Sequence, residues 1–116
     1  MVLGSSTSGV LSTELAYRAR DPRTGALPAS FDYDHTHEIF SLAHFVRAAL
    51  GLRGPAMTIS TACASSAQTF IDARHLIEAG LCDAAVVGGA DSLCGMTLRG
   101  FASLELISPT PCAPCD

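Results

Sequence analysis

The chain has 116 residues, a net charge of −4 and only 16% charged residues, so it is one modest domain at most, with far less polar surface than a typical domain carries. That balance excludes a disordered chain, and no apolar run approaches the length of a membrane-spanning helix. Seven Arg and no Lys are scattered among eleven acids; no basic stripe exists to neutralise a phosphate backbone, which excludes nucleic-acid binding.

A chain so short and so poor in charge reads as part of a larger body. No basic run precedes an apolar core at the N-terminus, so a secretory signal is not expected. Five Cys, an odd number, point to a reducing compartment rather than a disulfide framework.

Met1-Val2-Leu3 is a short apolar run that stops at Gly4. Gly4 to Gly9 reads as a loop, with Ser12 or Thr13 as the N-cap of a short helix toward Arg20. Asp21 to Asp34 holds Pro22, Gly25 and Pro28 and reads as an irregular connection. A second helix opens at Thr36 or His37. Along it Ile39, Leu42, Ala43, Val46, Ala49 and Leu50 recur at helical spacing, and Gly51 and Gly54-Pro55 end it. Ala56 to Ser60 is a β-prone run. Cys63 to about Ala79 is free of Gly and Pro and reads as a long helix, with Gly80 as its C-terminal stop. Asp83 to Val87 is a further buried strand, closed by Gly88-Gly89. Leu98 to Leu106 is the last helix, stopped before Pro109. The alternation of strands and helices predicts an α/β layered fold with buried parallel strands.

Cys63 sits where a short strand runs into a long helix, between Ala62 and Ala64. The first N–H groups of a helix lack intrahelical partners, and the positive end of the helix dipole favours a thiolate. Small neighbours let a substrate carbonyl approach the backbone, where an N–H can serve as an oxyanion donor for acyl transfer. This is the logic of a nucleophile elbow, with sulfur in place of oxygen. The same local pattern also occurs around buried packing cysteines, so it does not decide the matter by itself.

The run Thr58-Ile-Ser-Thr-Ala-Cys63-Ala-Ser-Ser-Ala67 resembles the nucleophile motif of the β-ketoacyl-acyl-carrier-protein synthases. Three further blocks follow the family's order. Val2 to Gly9 is similar to its upstream strand and Gly-rich loop. Asp83-Ala-Ala-Val-Val-Gly-Gly-Ala-Asp91 is similar to the strand after the nucleophile helix. Gly100 to Pro109 is similar to the helix and loop beyond. The resemblance covers nearly the whole of residues 1–116.

It implies a thiolase-like layered fold, of which this chain is most of the first of two similar halves. It implies that Cys63 accepts an acyl group from an acyl carrier protein, followed by decarboxylative condensation with a malonyl thioester. It implies no cofactor and no metal, a homodimer, a cytoplasmic location, and neither nucleic acid nor membrane as partner. Thr7 aligns with a family position lining the acyl channel, although the loop here is richer in Ser.

The family's decarboxylation step uses two His and a Lys from its second half. Neither of the family's His-containing runs is found here, and His35, His37, His44 and His75 match no catalytic position. The second oxyanion N–H also belongs to a residue beyond position 116. The chain alone is therefore expected not to condense. Two other readings are a non-catalytic partner that dimerises with or regulates a complete synthase, and a self-standing thiol acyltransferase or thioesterase.

Two features depart from this frame. Asp32, Asp34, His35 and His37 are of metal-ligand type, but a solvated loop accounts for them. Cys112-Ala-Pro-Cys115 replaces a family Cys-Arg-Pro-Phe and has redox-like spacing, but a redox motif needs a helix opening after its first Cys, and none is expected here.

Overall fold

Three short runs of apolar and small residues lie side by side in the computed structural model, which describes residues 1–113. They are β1 (Val2–Gly4), β2 (Met57–Ile59) and β3 (Val87–Gly89), a parallel sheet in the order β2-β1-β3. Val2 is level with Met57 on one side and Val87 on the other, and Gly4 with Ile59 and Gly89. The helices are α1 (Val10–Arg18), α2 (Ser41–Ala49), α3 (Ser65–Glu78) and α4 (Gly95–Ser103). A π-helical turn, Tyr33–His37, precedes α2, and a 3-10 turn, Ala62–Ala64, precedes α3. The element order is the one the sequence predicts.

Side chains alternate across β1, so its two faces are covered by different helices. Met1 and Leu3 pack with Ala43 of α2, joined by Leu42, Val46 and Ala56. On the other face Gly4 has no side chain, and the start of α3 takes that space. A Cβ on Gly4 would lie 2.7 Å from the Ser65 carbonyl carbon and 2.8 Å from the Ser66 nitrogen. Gly89 of β3 meets the Ser66 side chain in the same way. The first turn of α3 is thus seated on the C-terminal ends of β1 and β3. Gly4→Ala should destabilise the native protein by about 1–3 kcal/mol, because backbone rather than a flexible side chain must move. Chemical denaturation checks this, and an unchanged midpoint would contradict the seating.

Several element boundaries differ from expectation. The N-cap of α1 is Gly9, not Ser12 or Thr13. The chain turns early, with Val10 N–H donating to Thr7 O at 2.8 Å, and the Thr13 hydroxyl donates back to Gly9 O. The helix expected from Thr36 or His37 begins instead at Ser41. Asp32 accepts from His35 N–H at 3.1 Å and Glu38 from Phe40 N–H at 2.7 Å, and these local bonds hold a turn ahead of α2.

The strand expected over Asp83–Val87 lies at Val87–Gly89. A ladder needs a partner alongside, and β1 offers one only from Val2 to Gly4. The same limit trims Ala56–Ser60 to Met57–Ile59. The last helix starts at Gly95 rather than Leu98, because Glu14 captures the N–H groups of Gly95 and Met96. It ends at Ser103, and Glu105 then turns into the left-handed region at φ 58°.

The apolar surface far exceeds the apolar core. Among the described residues the buried hydrophobic set is small, with Met1, Val2 and Leu3 its largest members beside Cys94 and three Ala. Phe45 is 72% exposed, Phe70 62% and Leu93 76%. The radius of gyration is 16.9 Å, against about 13 Å for a compact domain of about 100 residues. The molecule is an open slab with extensive apolar faces. No helix of the described residues is long and apolar enough to cross a membrane.

Candidate active site

The end of β2 leads through Ser60 and Thr61 into a sharp turn. Ala62 adopts φ 51°, a left-handed conformation that costs a residue with a Cβ roughly 1–2 kcal/mol. Hydrogen bonds hold it there. The Ser65 hydroxyl donates to Ala62 O at 2.7 Å and accepts from Thr61 N–H at 2.9 Å. Ala64 N–H donates to Thr61 O at 3.2 Å, and the Ser6 hydroxyl donates to Ala62 O at 3.3 Å. Cys63 follows immediately, exposed, in the middle of the 3-10 turn that feeds the 14-residue α3. The strained residue therefore sits directly before the candidate nucleophile, on a sharp strand-to-helix turn of the kind a nucleophile elbow uses, although the positive φ is at Ala62 and not at Cys63. The positive end of α3 points toward this turn.

Cys63 opens onto a cleft of about 800 Å3. Ser6, Thr7 and Asp91 form one part of its wall, and Leu93, Met96 and Phe101 an apolar part. The structure thus brings the two residues singled out in the sequence, Cys63 and Thr7, to one cavity. Thr7 is buried, and its hydroxyl is already engaged. It donates to Asp91 Oδ1 at 3.0 Å and accepts from Ser92 N–H at 2.8 Å.

Two carboxylates shape the cleft without being prominent in the sequence. Asp91 Oδ1 accepts from Ser6 N–H at 2.7 Å, Thr7 N–H at 2.8 Å, and the hydroxyls of Ser5 and Thr7 at 3.0 Å each. Burial works against its charge, but the Ser6 and Thr7 N–H groups and the hydroxyls outweigh that and hold the carboxyl below the usual range. Glu14 of α1 accepts from Gly95 N–H at 2.9 Å and Met96 N–H at 2.6 Å. The Gly95 N–H, then that of Met96, lowers its pKa. This bond pair ties α4, and with it the apolar wall, to α1.

The other candidates lie elsewhere. Cys94 is fully buried with its Sγ 3.1 Å from Thr97 Oγ1, Cys82 is half-buried, and Cys112 is exposed on an irregular segment. Cys115 falls outside the described residues, and with it the Cys112–Cys115 pair. His35 Nδ1 is 2.8 Å from Asp32 Oδ2, whereas His37 Nδ1 is 2.7 Å from Thr13 Oγ1. Those two imidazoles do not converge, and among the described residues no group of His, Cys, Asp or Glu is placed to hold a metal ion.

The parallel sheet, the layered helices and the cysteine turn at the head of the longest helix form part of a thiolase-like fold. The sequence model "Beta-ketoacyl synthase, N-terminal domain" matches residues 4–116, and the chain belongs to this family. It is 35% identical over 92 residues to the non-reducing polyketide synthase spyA of Aspergillus fumigatus, covering 77% of this chain and 5% of that protein. It is 41% identical over 58 residues to 3-oxoacyl-[acyl-carrier-protein] synthase 2 of Rhizobium meliloti, covering 49% of this chain and 14% of that one. A solved structure, the ketosynthase ApeO in complex with its chain length factor ApeC from Xenorhabdus doucetiae, superposes with a TM-score of 0.75 at 40% identity. That match covers 97% of this chain and 28% of the other. The chain thus spans a small part of the length of each relative.

Proposed function

We propose that this chain carries the nucleophile of a β-ketoacyl-acyl-carrier-protein synthase acting on fatty-acid or polyketide chains. The observation that supports the reading best is Cys63 at a strained elbow, exposed at the mouth of the cleft. In the first half-reaction the Cys63 sulfur attacks the carbonyl of an acyl thioester on the carrier protein. A new C–S bond forms, the oxyanion is met by the Cys63 N–H, and the carrier thiolate leaves. Thr7 and the α4 side of the cleft would hold the acyl chain.

In the second half-reaction a malonyl thioester loses carbon dioxide. The resulting carbanion attacks the Cys63 acyl carbonyl and releases the Cys63 thiolate. The His pair that the family uses to stabilise the carbanion, and the structural Lys beside it, are not supplied by these 116 residues, which hold no Lys. We place that step on residues outside this segment. A homodimer formed along β2 and a cytoplasmic location belong to the same reading. Its test is acyl transfer. The native protein, incubated with an acyl carrier protein thioester, should gain one acyl group on Cys63, and an unmodified Cys63 would overturn the proposal.

A further inference from the structure

We infer that Asp91 is a positioning residue: its carboxylate holds the Ser5–Thr7 loop as a fixed wall of the Cys63 cleft and so governs which acyl groups Cys63 accepts. The inference rests on the acyl-transfer reading of Cys63.

Asp91 follows β3, and the loop follows β1. One oxygen of the carboxylate nevertheless collects four hydrogen bonds from Ser5, Ser6 and Thr7, at 2.7 to 3.0 Å. The loop needs such an anchor. Ser8 is in the left-handed region at φ 36°, and its N–H donates to Ser5 Oγ at 2.7 Å. Released from Asp91, the loop loses four of the bonds that hold that shape.

The anchor also reaches the elbow. Ser6 gives its N–H to Asp91 and its hydroxyl to Ala62 O, the residue before Cys63. A shift of the loop is thus a shift of both the cleft wall and the turn that presents the sulfur. Thr7 fits the same role. With its hydroxyl committed to Asp91 and Ser92, it offers the substrate a surface rather than a hydrogen bond.

The test uses the native full-length protein, with Asp91→Ala and Asp91→Asn beside the wild type. Acyl-carrier thioesters of short and long chain are the probes, and Cys63 acylation rates, melting temperature and amide hydrogen exchange are the readouts. Asp91→Ala should slow acylation by about 10- to 100-fold and narrow the preference between chain lengths. Asp91→Asn keeps an acceptor oxygen in place and should recover most of the loss. In both variants the Ser6 and Thr7 amides should exchange faster while those of β1 stay protected. Wild-type rate and preference in folded Asp91→Ala would overturn the inference. Should Asp91→Ala fail to fold, Asp91→Asn decides: unchanged exchange at Ser6 and Thr7 overturns it equally. A wild-type protein whose Cys63 takes no acyl group would refute the acyl-transfer reading and with it the selectivity role. The exchange data would then report on the loop anchor alone.

Discussion

Replacing Cys63 by Ala in the native protein should lower the rate of condensation by about 10^4-fold or more, since among the described residues no other Cys lines the cleft. Cys94, whose Sγ contacts Thr97 Oγ1, is fully buried, and Cys82 is outside the cleft lining. The complementary experiment uses a polypeptide of these 116 residues alone with malonyl carrier protein. It should release no carbon dioxide, because its four His match no family catalytic position and it has no Lys. Acylation of Cys63 can persist there at a low rate, as it needs only the thiolate and part of an oxyanion hole. Carbon dioxide release by the segment, lost on Cys63→Ala, would mean that the decarboxylation step lies within it.

The second large effect is on assembly. Isolated as 116 residues, the chain should run as a dimer or larger species at micromolar concentration. β2 pairs only with β1 among the described residues, so its other edge is open, and the run Ala56 to Ser60 holds no Lys or Glu to guard it. Phe45, Phe70 and Leu93 lie on apolar surface that a monomer leaves in water. Analytical ultracentrifugation decides the matter. A compact monomer that melts cooperatively would show a closed core, and the open-slab description would be wrong.

What could be read from the sequence differs from element to element. The order of strands and helices was legible because Gly51, Gly54-Pro55 and Gly80 punctuate the apolar runs, whereas Gly88-Gly89, expected to close a strand, lies within β3. Cys63 was legible as an elbow because its neighbours are small and a long Gly-free run follows it. Boundaries were less so, because they depend on partners distant in the chain. β3 is displaced toward Gly89 since pairing requires β1, and α4 starts at Gly95 since Glu14, 81 positions earlier, caps it. Asp91 had no local signature of function. It closes a block that matches the family, yet its role appears only when the Ser5–Thr7 loop folds against it. The strain at Ala62 was likewise invisible, since nothing in an Ala marks a positive φ.

Peptide mapping by mass spectrometry, after brief exposure of the native protein to an acyl carrier protein thioester, addresses the nucleophile directly. One acyl group should be found on the peptide containing Cys63 and on no peptide containing Cys82, Cys94, Cys112 or Cys115. An acyl group on any of those four in folded protein, with Cys63 left free, would contradict the assignment of Cys63 as the nucleophile.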